Sequence, residues 1–292
     1  MPEFLQLLVG GVSTGAIYAL VAIGFTLLWQ TSQTINFAQG EFVMLPAFLI
    51  LAAMKFGGLS FPLAILVGLV AAIVILGLMF KKLLVDPILP HGVLPMVIAT
   101  IALGIFLKDG VKEFYSAQAV PFPSLIPQTT LRFGEVAISL RDIGVVAVAA
   151  IAVGALQWFL GHTATGRQMQ ASAQNPTVAR ILGIPVERMI LYTFVINAIL
   201  VTLASLLITP VYLAKFTSGE TLGLAAFIAA IVGGFNQMRG AIAGGILLGV
   251  LENLMATYVS GQYRSALPLV LLIVVILARP QGLFGRAEER SV

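Results

Sequence analysis

FLQLLVGGVSTGAIYALVAIGFTLLWQTSQTINFAQG, residues 4–40, lies between Glu3 and Glu41 and contains no Asp, Glu, Lys or Arg. A bilayer core is about 30 Å thick and takes roughly 20 apolar helical residues to cross. The stretch is long enough for one full membrane helix and part of another. Further uncharged stretches follow at 56–80, 87–107, 143–166, 189–214 and 221–238, and the charged residues fall mostly between them. The pattern predicts an all-α fold: a polytopic integral membrane helical bundle with about eight or nine transmembrane segments.

Composition agrees. Of 292 residues, 59% are hydrophobic and 10% charged, whereas soluble domains carry about 25% charged residues. The net charge of +4 does not indicate nucleic acid, because the basic residues sit singly between apolar spans and read as topology signals. There is no cysteine, which excludes disulfides, thiolate metal sites and a Cys nucleophile. No Lys or Arg precedes Lys55, so the first segment lacks the basic region of a signal peptide and is expected to remain a membrane helix.

Helices are expected near 5–29, 35–55, 61–80, 93–107, 141–160, 189–209, 222–235, 240–259 and 266–279. Segment 35–55 holds Gln39, Gly40, Glu41 and Pro46 and is expected to be broken or partly re-entrant. Segments 222–235 and 240–259, joined tightly at Asn236 to Arg239, read either as a full hairpin or as two half-helices. Alternating the spans places nine of the sixteen Lys and Arg on one side, taken as cytoplasmic: Lys81, Lys82, Arg167, Arg180, Arg188, Arg239, Arg279, Arg286 and Arg290. The C-terminus is then cytoplasmic; the N-terminus lies outside for nine crossings and inside for eight. The long external segment 108–140 contains Pro121, Pro123 and Pro127. It reads as a surface loop or as a docking surface for an external partner.

Gly11, Gly15 and Ala19 recur every four residues, as do Gly240 with Gly244 and Gly245 with Gly249. Small residues at this spacing let helix backbones approach closely in lipid, so these positions are assigned to helix packing. Glu41 and Glu252 are the acids that fall inside apolar spans, and Asn36, Gln39 and Asn197 are polar residues at the same depth. Such groups face the bundle interior or water. Asn36, Gln39, Glu41 and Asn197 are therefore candidates to line a pathway, with interhelical hydrogen bonding as the alternative.

No chemistry of catalysis is visible. There is no P-loop, no His cluster around His91 or His162 for a metal, and no nucleophile–base set, so no catalytic residue and no metal site are assigned. Few intramembrane charges are available for a proton relay. The shaped element is the connector 161–188. One short helix is expected over about 166–174. Asn175 is an N-cap and Pro176 a first helical residue; a second helix then runs 176–182 and stops at Gly183.

The residues at this point resemble a known family. Gly11-x-x-x-Gly15-x-x-Tyr18-Ala19-Leu20, Ile35-Asn36-Phe37-Ala38-x-Gly40-Glu41 and Thr165-Gly166-Arg167 carry the resemblance, followed by Ala173-Gln174-Asn175-Pro176-x-x-Ala179-Arg180-x-Leu182-Gly183-Ile184. Ala226-Phe227-x-Ala229-Ala230-x-Val232-Gly233-Gly234 and Arg279-Pro280-Gln281-Gly282-Leu283-Phe284-Gly285 complete it. In this order and spacing the chain is similar, over nearly its whole length, to the branched-chain amino acid ABC importer permease family, in particular the shorter (LivH-like) of its two paired permeases. The family usually has His where this chain has Gln39, and often a Gly and a Pro in the turn where it has Asn236 and Arg239.

The resemblance implies one permease domain over 1–292 in a bacterial inner membrane. It also implies a second, LivM-like permease subunit, two cytoplasmic ATPase subunits that bind ATP in this chain's stead, and a periplasmic substrate-binding protein. The 161–188 connector would be the coupling loop, with Arg167, Asn175, Pro176, Arg180 and Gly183 facing the ATPase. The cargo would be branched-chain amino acids, with amides, urea or other amino acids as alternatives. A stand-alone secondary transporter or channel, or a membrane enzyme, fits the residues less well, because ion-coordinating and nucleophilic groups are scarce.

Overall fold

The computed structural model describes residues 2–33, 35–127, 129–133 and 136–285. Arg286 and Arg290, two of the nine basic residues expected on the cytoplasmic side, lie outside these residues. The helices are α1 (Pro2–Ser32), α2 (Gln39–Gly57), α3 (Phe61–His91), α4 (Val93–Phe114), α5 (Leu140–His162), α6 (Ala164–Gln174), α7 (Pro176–Ile181), α8 (Val186–Tyr212), α9 (Ser218–Gly233), α10 (Met238–Tyr258) and α11 (Leu267–Ala278). Strands β1 (Thr130–Phe133) and β2 (Val136–Ser139) form an antiparallel hairpin. Among the described residues seven helices are long and apolar enough to cross a membrane, whereas α9 and α11 are apolar but shorter. The protein is a polytopic helical membrane protein.

The chain forms two compact units. One comprises Met1–Thr26, Ile126–Ile151 and Leu224–Val292. There α1 meets α10 through small residues: a Cβ on Gly15 would lie 2.6 Å from the Ile246 Cα, and one on Gly11 would lie 2.7 Å from the Val250 Cα. On the other face of α10, Gly240 and Gly244 sit against Gly233 and Ala229 of α9. The two glycine pairs of α10 thus serve two different neighbours, and this close approach is what lets backbones pack where lipid offers no hydrophobic drive. The segment after α11 returns to α9, where the Leu283 and Phe284 N–H groups donate to the Val232 and Gly233 carbonyls at 2.8 and 2.9 Å. Gly234 and Gly282, at φ 113° and 78°, make that approach possible. Two motifs of the resemblance are therefore one contact.

The other unit comprises Leu27–Leu125 and Ala152–Gly223. In it α2 packs on α3 and α8, around Phe42, Phe80 and Phe194, whose rings meet edge to face at 4.9 and 5.5 Å. The helix α3 is α-wound over Phe61–Ala72 and π-wound over Ile73–Val85.

Three expectations are corrected here. The helix α2 is unbroken from Gln39 to Gly57 with Pro46 inside it. The interruption lies earlier, between the end of α1 and Gln39, where Gln33 adopts φ 52°. Pro46 removes one backbone donor, a loss that buried helices within a bundle tolerate. The segment 108–140 is not wholly irregular: α4 continues to Phe114, and the β hairpin pairs Leu131 with Ile138. All three prolines precede β1, so they leave the hairpin free to form. Finally α9 begins at Ser218, four residues before the expected start.

Candidate functional site

Two features stand out, both inside the second unit. The first is an amide network where α2 begins. The Gln39 Nε2 donates to the Asn197 Oδ1 at 2.7 Å, and the Asn197 Nδ2 donates back to the Gln39 Oε1 at 3.1 Å. The Asn36 Nδ2 donates to the same Gln39 oxygen at 3.3 Å, while the Asn36 Oδ1 accepts from the Ala38 N–H at 3.0 Å. Gln39 and Asn197 are fully buried and Asn36 nearly so. Each carbonyl in the network is thus occupied, as burial requires.

The chain reaches this geometry through its non-helical entry into α2. The Phe37 N–H donates to the Thr100 Oγ1 of α4 at 3.3 Å. The first turn of α2 lies directly on the first turns of α9, because Gly40 faces Gly219 and Gly223 and a Cβ on any of the three would collide with backbone. The spacing Gly219-x-x-x-Gly223 was the available sequence signal for this contact.

Sequence reasoning grouped Asn36, Gln39, Glu41 and Asn197. The structure brings three of them together and sets Glu41 apart. The Glu41 carboxylate is buried and points toward Gly104, where a Cβ would stand 3.3 Å from its Oε2. Lys108 and Glu220, an ion pair linking α4 to α9, act electrostatically on it and were not singled out from sequence. Glu252, the other intramembrane acid, belongs to the first unit and accepts from the Tyr18 hydroxyl at 2.9 Å with the Arg264 Nε at 3.5 Å.

The second feature is the connector between α5 and α8. Thr163 caps α6, its Oγ1 accepting from the Gly166 N–H at 2.9 Å. A Cβ on Gly166 would strike the Phe159 carbonyl, which gives Thr165-Gly166-Arg167 a steric reason for its glycine. Asn175 caps α7, its Oδ1 accepting from the Thr177 and Val178 N–H groups at 3.1 and 3.0 Å. The end of α7 is closed by a Schellman motif: the Ile184 N–H donates to the Ala179 carbonyl and the Gly183 N–H to that of Arg180, with Gly183 at φ 80°. Both ends of α7 are fixed, yet Val178, Ile181 and Leu182 stand 47%, 80% and 72% exposed. Arg180 of α7 and Arg167 of α6 are exposed as well.

Comparison with known proteins follows the same line. The family described as "Branched-chain amino acid transport system / permease component" matches residues 7–276. The chain is 34% identical over 308 residues to the high-affinity branched-chain amino acid transport system permease protein BraD of Pseudomonas aeruginosa, covering 100% of both. It is 34% identical over 301 residues to the permease protein LivH of Escherichia coli, covering 99% of this chain and 98% of that one. Among solved structures, PsaBC from Streptococcus pneumoniae in complex with Fab shares the fold, with a TM-score of 0.53 at 14% identity over 97% of this chain and 94% of that one. With a family match that spans nearly all of its helices and relatives alike from end to end, this chain belongs to the permease component family of branched-chain amino acid transport systems.

Proposed function

We propose that this chain forms the translocation route of an ATP-driven importer of branched-chain amino acids. As a member of its family it is a multi-pass membrane permease within a multi-subunit ABC transporter. The proposed assembly adds a second permease, two ATPase subunits on the cytoplasmic side that bind and hydrolyse the ATP, and a periplasmic binding protein that presents the cargo. The whole chain acts as one permease domain, and the 161–188 connector and the C-terminus face the cytoplasm.

The observation that supports this reading most is α7. A six-residue helix is too short to hold itself together in water, and this one is fixed by caps at both ends while presenting an apolar edge to solvent. An exposed apolar edge on a fixed helix that also carries Arg180 suits a protein interface. Here the interface is with an ATPase subunit. Asn36, Gln39 and Asn197 would face the cargo route when the network opens, and Glu41 would stand beside it.

A tagged chain extracted from native membranes is expected to bring ATPase subunits with it. Ile181→Asp, which places a charge on the exposed edge without touching the caps, is expected to reduce that co-purification at least about tenfold, since burying an unpaired charge costs several kcal/mol. ATPase subunits retained at the unsubstituted level would contradict the assignment of α7.

A further inference from the structure

The connector is tied to the membrane-embedded part of its unit by charge. The Arg180 Nη2 of α7 donates to the Glu187 Oε1 in the first turn of α8 at 3.0 Å. The other oxygen of the same carboxylate, Oε2, faces the Lys81 Nζ at 4.0 Å. Lys81 is buried near the end of the π-wound part of α3, and its Nζ is held by both oxygens of Asp86 at 2.7 and 2.9 Å. Glu187 therefore pairs with both the connector helix and the buried lysine.

What lies behind Lys81 gives this link its direction. The preceding residue is Phe80, whose ring packs between Phe42 and Phe194. Phe42 lies three residues after Gln39 on α2, and Phe194 lies three residues before Asn197 on α8. These two rings thus sit one helical turn from the reciprocal amide pair. The segment between is π-wound, and the Asp86 N–H still donates to the Lys81 carbonyl five residues back. Long π-wound stretches are rare and π turns concentrate at functional sites, so Ile73–Val85 is the part of α3 whose rewinding as α-helix would turn Phe80 to new neighbours.

We propose that Glu187 is a positioning residue that transmits displacement of α7 to Lys81, so that rewinding of Ile73–Val85 shifts Phe80 and frees the Gln39–Asn197 pair. The inference rests on the reading of α7 as the ATPase contact. Arg180 and Glu187 are more than half exposed, and exposed pairs contribute little to stability. Loss of Glu187 is therefore expected to alter coupling and to leave folding intact.

The measurement is cargo moved per ATP hydrolysed by the complete importer in proteoliposomes. Glu187→Gln is expected to keep assembly and basal hydrolysis while lowering this ratio roughly fivefold, the size of a modest coupling between sites. Lys81→Met, which keeps the buried stem and removes its charge, is expected to lower it likewise. The exchanged pair Arg180→Glu with Glu187→Arg rebuilds the outer ion pair but sets a guanidinium against Lys81, and is expected not to recover the ratio. Recovery by the exchange, or an unchanged ratio in Glu187→Gln or in Lys81→Met, overturns the proposal. The Ile181→Asp importer separates the two readings. If that variant assembles and couples normally, the α7 contact itself is wrong and the relay falls with it. If it fails to assemble while Glu187→Gln couples normally, the relay alone is wrong.

Discussion

Gln39 and Asn197 show what a single residue can and cannot disclose. That each is polar at membrane depth is legible in the sequence, because no other role suits an amide flanked by apolar neighbours. That they form one reciprocal pair is not, since 158 positions separate them and periodicity carries no information about distant partners. Two hydrogen bonds running in opposite directions need a donor and an acceptor on each side, which side-chain amides supply. This gives Gln39, where the family usually has His, a local physical reason. It also yields a prediction. Gln39→Leu leaves the buried Asn197 amide without its partner and is expected to cost about 2 kcal/mol of stability. Asn197→Leu is expected to do the same, and the two together to cost clearly less than the sum, because the double variant strands neither member of the pair and leaves only the Asn36 Nδ2 without its acceptor. Thermal unfolding of the four purified chains in detergent measures this. Strictly additive losses would mean that the pair does not act as a unit. Glu41 shares membrane depth with these residues in the sequence pattern, but the half-turn between Gln39 and Glu41 on a helix turns its carboxylate toward Gly104 instead.

At the scale of elements, the connector was the best read part of the chain. Asn175, Pro176 and Gly183 act through local backbone geometry, and the two short helices, the cap and the left-handed glycine fall where those rules place them. The membrane helices were legible for the same reason, since length and apolarity are local properties. The β hairpin and the unbroken α2 were not. Strand pairing between 130–133 and 136–139 depends on cross-strand partners, and whether Pro46 ends a helix depends on what packs around it. The arginines of the α5–α8 connector are an element-scale signal that predicts a cytoplasmic position for it. Ser172 is buried, so the exposed Gln174 is the better reporter in this cysteine-free chain. Gln174→Cys and, separately, Ser291→Cys are expected to resist an impermeant thiol reagent in intact spheroplasts and to react once the membrane is permeabilised. Reaction of either in sealed spheroplasts would reverse the orientation.

For the whole molecule, the sequence pattern established a charge-poor helical membrane protein, and the ordered motifs from Gly11 to Gly285 pointed to its family. The structure adds why several of those motifs are as they are: glycines that seat α1 and α9 on α10, a tail fixed on the end of α9, and a connector helix capped at both ends yet apolar on its outer edge. The most direct test is uptake of radiolabelled leucine by proteoliposomes that hold this chain with its second permease and ATPase subunits, the binding protein being supplied on the opposite face from the ATP. The account predicts leucine accumulation that requires ATP and every subunit, and that unlabelled isoleucine and valine compete away. Uptake by this chain alone without ATP, or a complete assembly that hydrolyses ATP and moves no branched-chain amino acid, would contradict it.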